Sequence, residues 1–304
     1  METVDCIIIG GGIAGLQAAI QLGRYNHSVL VIDSNQGRST ITRGYHNILG
    51  WPDGISGPEL RNLGKQHAEK YGVSFIDDKV TSLEKSDNTF TVRTLLKQIY
   101  LTNTVFLATG LTDYLPDLPN LQQCLGTSIF ICPDCDGYEI TGKKTIVFGS
   151  GNTVANMAMT LTYWSKELTV INHDNKEISE ENLLKLKSLG IQIIEEPISE
   201  IVVDAKKQLI GLLLENGELI KAERGFTGFS GNQLNNHLAK QVGVQLNESK
   251  HVVVNPRTKE TNIIGIWAGG DLIAHSEQVT ISMGDGSQAA IWMHKRLLGE
   301  PRPK

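Results

Sequence analysis

Cys132 and Cys135 stand three residues apart in a 304-residue chain whose only other cysteines are Cys6 and Cys124. A Cys-x-x-Cys turn brings two sulfurs into reach of one small disulfide ring, and a helix start beside it stabilises a thiolate. The competing use of such a pair is structural zinc, which needs four donors. No second cysteine pair and no histidine pair at ligand spacing exists here, so redox chemistry is favoured and no metal is expected. Asp136 follows the second cysteine directly. Its carboxyl can hold or give the proton that the thiols exchange, or it can serve only as a turn or cap residue. Cys6 lies in an apolar run and Cys124 in a stretch without periodic pattern, so both read as packing residues.

A second constellation opens the chain. Gly10, Gly12 and Gly15 form Gly-x-Gly-x-x-Gly between an apolar run and a segment of helical periodicity. The first glycine permits a tight turn, the second lets backbone approach a pyrophosphate, and the third allows close helix-to-strand packing; the helix amides, Ala14 among them, face the anion. Asp33, 18 residues after Gly15, is placed to accept hydrogen bonds from a ribose hydroxyl. Weaker signals lie further along. Ala108, Thr109 and Gly110 end a strand with small residues that let backbone meet a ligand. Gly270 and Asp271 follow another strand, where Asp271 can accept from a polyol hydroxyl or cap a helix. Gln278 and Val279 begin the closing helix, whose first amides could face an electronegative edge of a bound ligand.

The elements that must carry these residues read as one architecture written twice. Val4 to Ile9, Ile13 to Leu22 and Ser28 to Ile32 give β-α-β, and Thr145 to Phe148, Val154 to Trp164 and Leu168 to Ile171 give it again. Between them Ser39 to Gly57 is loop-like, Pro58 to Tyr71 is helical, and 73–107 alternates in short strands that form a small inserted sheet. Beyond Phe229 a polar segment leads to a short strand at Val252–Val254, another at Ile263–Ala268, and one long helix from Gln278 to Leu298. The expected division is a first domain at 1–115 and 230–304, with a second domain at 116–229 inserted in it.

Composition sets the outer limits. The chain is 40% hydrophobic and 20% charged with a net charge of −5, which leaves no basic face for nucleic acid. No segment approaches the ~18 consecutive apolar residues of a membrane span. The N-terminus lacks the pattern of a signal peptide, and cysteine usage is not that of a secreted scaffold, so a cytoplasmic protein is expected.

Taken together, the fingerprint at 10–15, Cys-x-x-Cys-Asp-Gly at 132–137 within a second β-α-β unit, Ala108-Thr109-Gly110 and Gly270-Asp271 resemble the low-molecular-weight thioredoxin reductase family almost end to end. The run from His46 to Leu60, with Asn47 near its start, resembles the flavin-side loop of that family. Glu277-Gln278-Val279 resembles its Arg-Gln-Ala flavin contact. The resemblance implies an α/β fold of two Rossmann-like dinucleotide-binding domains, one inserted in the other, with FAD between them, and a homodimer. It also implies Cys135 beside the flavin C4a, Cys132 as the interchange thiol that meets the substrate disulfide, and Asp136 as the acid–base residue. The substrate would be a thioredoxin-like protein or a low-molecular-weight disulfide.

The sequence departs from that family at the second nucleotide site. Members usually show Gly-x-Gly-x-x-Ala and then His-Arg-Arg and a further arginine that hold the 2′-phosphate of NADPH. Here the turn is Gly149-Ser150-Gly151-Asn152-Thr153-Val154 and the later stretch is Asn172-His173-Asp174-Asn175-Lys176-Glu177. Val154 is expected to crowd the helix against its strand, and Asp174 to repel a 2′-phosphate. NADH, NADPH and another reduced protein therefore all stay open as the electron donor. The weakened site and Gly137-Tyr138-Glu139 also resemble the gliotoxin-type dithiol oxidases, which close a disulfide in a small molecule and pass electrons to oxygen. Those enzymes tend to carry histidine where this chain has Asp136, which favours the reductase branch. A flavin-bound redox sensor without turnover is the third reading.

Overall fold

The computed structural model describes residues 2–300, which fall into two compact units. The first gathers the chain up to Thr40, Gly57–Thr112 and the chain from Gln233 onward; the second gathers Ile41–Ser56 and Asp113–Asn232.

In the first unit, β1 (Glu2–Ile9) runs into α1 (Ile13–Arg24), followed by β2 (Val29–Asp33), α2 (Gly57–Glu69) and β3 (Ser74–Asp77). Next come β4 (Val80–Ser86), β5 (Thr89–Thr94), β6 (Ile99–Leu107) and the short β7 (Leu111–Thr112). The chain returns later with β16 (Gln233–Leu234), α7 (His237–Gln241), β17 (Ile266–Ala268) and α8 (Val279–Leu297). The main sheet has the order β3-β2-β1-β6-β5-β4. On its outer edge β6 pairs through its first half with β5 and through its last three residues with β17. Of the strands expected as a small inserted sheet, β5 extends the parallel sheet antiparallel to β6, and β4 extends it antiparallel to β5.

The residues explain the layering. In β1, Ile7 and Ile9 enter the core on one face of the sheet, while Cys6 and Ile8 enter the core on the other. That alternation is what a strand covered on both faces requires. On α1, Ala14, Ala18 and Leu22 repeat at helical spacing and are buried. α1 meets α8 through small residues, since a Cβ on Gly286 would lie 2.2 Å from the carbonyl oxygen of Ala14.

The second unit contains α3 (Leu121–Cys124), β8 (Ile129–Phe130), α4 (Pro133–Asp136), β9 (Thr145–Gly149), α5 (Gly151–Leu161), β10 (Leu168–Asn172) and α6 (Glu180–Ser188). It continues with β11 (Gln192–Ile194), β12 (Ile198–Val203), β13 (Leu209–Leu214), β14 (Leu219–Lys221) and β15 (Arg224–Gly228). Its parallel sheet is ordered β11-β10-β9-β15-β8, beside a three-stranded antiparallel sheet β12-β13-β14.

Two expectations are corrected. Val252–Val254 is not a strand: Val252 makes only isolated bridges, to Leu246 and Ile273. The loop at 41–56, expected in the first domain, belongs to the second unit. Ile41 joins that unit's core, the Arg43 amide donates to the Leu125 carbonyl at 3.0 Å, and Gly44 abuts Gly126. No helix among the described residues is long and apolar enough to cross a membrane.

Candidate active site

Parallel pairing fixes the first cluster. Ile9 pairs with Ile32 and Leu107, and Leu107 pairs with Ala268, so four strands end in one row. That row presents Asp33, Gly10, Ala108 and Gly269 side by side, at the carboxyl ends where open α/β sheets bind ligands. The glycines divide the work there. Gly10 has φ +106, and a Cβ on it would lie 2.4 Å from the Ala108 carbonyl oxygen; a Cβ on Gly15 would lie 1.9 Å from the Gly10 oxygen. Both are required by backbone contact. Gly12 differs, because a Cβ there would meet nothing within 4 Å. It is the N-cap of α1 and supplies no side-chain cap to the first helix amides. This cradle fits a dinucleotide pyrophosphate.

Several predicted residues carry additional duties. Ala14 directs its Cβ toward Gly270, so only its backbone amide is left for a ligand. Asp33 Oδ2 accepts from Arg61 at 2.7 Å, and Arg61 also donates to Asn35 Oδ1 at 2.9 Å. The Thr109 hydroxyl donates to the Asn235 carbonyl at 2.7 Å, and the Asn235 side-chain amide returns a bond to the Thr109 carbonyl at 2.9 Å. The Gly110 carbonyl, at φ +59, accepts from the Asn235 amide, so Ala108-Thr109-Gly110 anchors the returning chain. Asp271 Oδ2 accepts from Arg38 at 3.0 Å, and the same nitrogen reaches Glu277 at 2.7 Å. Gln278 is the N-cap of α8 and Val279 its first residue. Asn47 is exposed, on the 41–56 segment that belongs to the second unit.

Sequence reasoning missed Arg38, Arg61 and Asn235, whose side-chain partners lie 22 to 239 residues away. It also missed Asp285, although an acid between Gly284 and Gly286 inside an amphipathic helix is itself a signal.

The second cluster is the cysteine pair. Cys132 is the N-cap of α4 with Pro133 at the first helical position, so the chain turns sharply and the Asp136 amide donates to the Cys132 carbonyl at 3.0 Å. Cys135 Sγ lies 2.7 Å from Cys132 Sγ. The hydrogen bond from Cys135 draws the Cys132 thiol below its ordinary value, against burial and the carboxylates of Asp136 and Asp134. Asp136 moves the other way: burial, helped by the charge of Glu139, pushes its carboxyl up to about 7. Gly137 is needed beneath the turn, because a Cβ there would lie 2.6 Å from the Trp164 ring. Cys6 and Cys124 are buried, and burial pushes Cys6 to about 12 and raises Cys124, as suits packing residues. Among the described residues no cluster of His, Cys, Asp and Glu could hold a metal ion.

The third cluster is the second glycine turn. Gly149 pairs with Asn172 and Gly228, and a Cβ on Gly149 would lie 2.0 Å from the Gly228 oxygen. Val154 is fully buried. Its room comes from Gly228, whose added Cβ would lie 2.9 Å from the Val154 Cα. The turn's polar groups are occupied by the chain itself. The Gly151 amide donates to Asn172 Oδ1 at 2.9 Å, and the Asn172 amide donates to the Lys176 carbonyl at 2.8 Å. Ser150 donates to Asp174, which pairs with Lys176 at 3.1 Å. Burial raises the Asp174 carboxyl, but Ser150, Lys176 and His173 outweigh it and hold the acid below its ordinary value. An ionised acid whose cation is already engaged does not fit a 2′-phosphate.

Comparison with known proteins identifies the class. The family model for pyridine nucleotide-disulphide oxidoreductases matches residues 4–286, and the chain belongs to that family. A thioredoxin reductase of Rickettsia bellii is 28% identical over 97% of this chain and 98% of its own length. A 34.2 kDa protein of the rubredoxin operon of Clostridium pasteurianum is 28% identical, with 98% and 99% covered. The crystal structure of HlmI superposes with a TM-score of 0.86 at 26% identity, covering 98% of this chain and 93% of that one. Thioredoxin reductase from Streptococcus pyogenes gives 0.85 at 25% identity, with 98% and 99% covered. Within the family the chain is an FAD-dependent disulfide oxidoreductase of thioredoxin reductase type, a group that binds FAD and uses NAD(P)H.

Proposed function

We propose that the chain exchanges two electrons between FAD and a substrate disulfide through Cys132 and Cys135, with Asp136 as the proton carrier. The observation that carries this is the 2.7 Å approach of the two sulfurs in one turn with the raised carboxyl of Asp136 next in sequence. In the reducing direction the Cys132 thiolate attacks one substrate sulfur, forming a mixed disulfide and releasing the other sulfur, which takes a proton from Asp136. Cys135 then loses its proton to the Asp136 carboxylate and attacks Cys132, closing the internal disulfide and expelling the second substrate sulfur, which takes that proton. The substrate gains two electrons and two protons, and the chain loses them. FAD, when bound, supplies the two-electron carrier that restores the dithiol. Gly10, Gly12, Ala14, Gly15, Asp33, Ala108, Thr109, Gly110, Gly270, Asp271, Gln278 and Val279 would hold it.

Thioredoxin-like proteins are the favoured substrates, since relatives carry that name and one from Mycobacterium leprae is a bifunctional thioredoxin reductase/thioredoxin. A low-molecular-weight disulfide would enter the same exchange. A cytoplasmic location belongs to the same reading, because a dithiol that must be regenerated needs a reducing compartment, and a homodimer belongs to it through the family resemblance alone. The self-occupied turn at 149–151 favours a second reading: a donor other than NADPH, or the reverse reaction, in which a substrate dithiol is closed to a disulfide. Anaerobic incubation with disulfide substrates, followed by intact mass of Cys132→Ser and Cys135→Ser, tests the exchange. A mixed disulfide trapped on Cys132 in the Cys135→Ser variant is expected; trapping on Cys135 alone would exchange the two roles, and turnover without either cysteine would refute the reading.

A further inference from the structure

Inside the first unit a buried carboxylate joins three segments that are distant in sequence. Asp285, on the inner face of α8, is 4% exposed. Its Oδ2 accepts from the Gly270 amide at 3.0 Å and from His275 Nε2 at 2.7 Å, and its Oδ1 accepts from Lys259 Nζ at 2.8 Å. Lys259 is held for this in a left-handed conformation, φ +62, within a tight turn closed by the Lys259 amide on the Asn255 carbonyl. Gly269 leaves the space, because a Cβ there would lie 2.8 Å from Asp285 Cβ. A carboxylate mid-helix with three donors on it is costly to assemble unless the donors need to be fixed.

What it fixes is the Gly269-Gly270-Asp271 turn and the loop that leads to the N-terminus of α8. We propose that Asp285, through His275 and Lys259, is a positioning residue that holds this turn in the geometry that grips the flavin nucleotide. The inference rests on the assignment of Gly270 and Asp271 to the FAD site. The histidine carries the distinctive part. Its Nδ1 lies 2.8 Å from the Ser276 carbonyl while Nε2 faces the carboxylate. Both partners only accept, so both ring nitrogens donate together only when the ring is protonated. The hydrogen bond to Asp285 raises its titration above the ordinary value, against burial and the nearby Lys259 charge. The nearby carboxylates on this segment, Asp271 and Glu277, both pair with Arg38. A raised histidine keeps both bonds below its ordinary value and loses one as pH rises through the value in the folded chain.

FAD retention by the holoprotein, read as released flavin fluorescence after dilution at pH 6.5 and pH 9, tests this. Wild type should release FAD about tenfold faster at pH 9, the effect of one charge-assisted bond. His275→Gln, whose side-chain amide donates to Asp285 without titrating, should retain FAD and lose most of that pH dependence. An unchanged pH profile in His275→Gln overturns the proposal. Asp285→Asn should release FAD faster at both pH values while still unfolding cooperatively. If it does not fold, His275→Gln alone decides. Asp271→Ala separates the two assignments: normal retention in that variant would remove the site reading itself, whereas FAD loss there with an unaltered His275→Gln profile would overturn only the role of Asp285.

Discussion

At the scale of residues, the pair Cys132 and Cys135 and the acid beside it form a proton and electron exchange set whose members shift in opposite directions. Cys132 is drawn down by the hydrogen bond from Cys135, and Asp136 is pushed up to about 7 by burial. A buried acid raised from 3.8 costs the folded state stability as pH climbs from about 4 to about 7. Asp136→Asn should remove that slope, so that urea unfolding of the variant is flatter over this range and its stability at pH 8 is higher by about 1–2 kcal/mol. The same variant should slow disulfide exchange by ~10²-fold or more, because the released thiolate lacks its proton donor. A variant with unchanged turnover would leave Asp136 a turn residue.

At the scale of elements, the strand ends and the glycines that face them decide where a ligand fits and where only protein fits. Gly12 and Gly15 look equivalent in the sequence, yet one faces open space and the other a carbonyl oxygen at 1.9 Å from its virtual Cβ. Gly12→Val should therefore fold with stability within about 0.5 kcal/mol of wild type while losing FAD, as absorbance per chain would report. Gly15→Ala should be destabilised by ~3 kcal/mol or fail to accumulate, with or without flavin. Equal FAD content in wild type and Gly12→Val would move the pyrophosphate away from this turn. Val154 gives the complementary case. Gly228→Ala should be destabilised, because its Cβ would press on α5 at the point where Val154 replaces the usual small residue.

At the scale of the whole molecule, two units with the same strand-end geometry have taken different states. In the first, a side chain added at Gly12 would meet nothing within 4 Å; in the second, Asn172, Ser150, Asp174 and Lys176 bond one another and the turn. NADPH should accordingly be a poor reductant, since its 2′-phosphate would meet Asp174 without the arginine pairs worth about 1.5–3 kcal/mol each. Anaerobic stopped-flow reduction of the flavin separates the donors. Slow, unsaturated reduction by NADPH is expected, with NADH faster wherever the turn opens at all, and failure with both would direct attention to a reduced protein. Fast, saturable reduction by micromolar NADPH would overturn this expectation.

Local pattern alone determined the doubled β-α-β plan, the fingerprint at Gly10-Gly12-Gly15, the redox pair and the loss of arginines after β10, because strand and helix periodicity and turn chemistry act over a few residues. Packing across long separations decided the rest. Arg38 with Asp271, Arg61 with Asp33, Asn235 with Thr109, and Lys259 and His275 with Asp285 join segments that no short-range pattern connects. The same holds for the loop at 41–56, whose own residues do not say which unit it packs on, and for Val154, whose room depends on Gly228 at the end of a strand 74 residues later. Whether a glycine admits a ligand or a neighbour, and whether an acid is offered to a substrate or bound by an arginine, is set by what tertiary structure places opposite it.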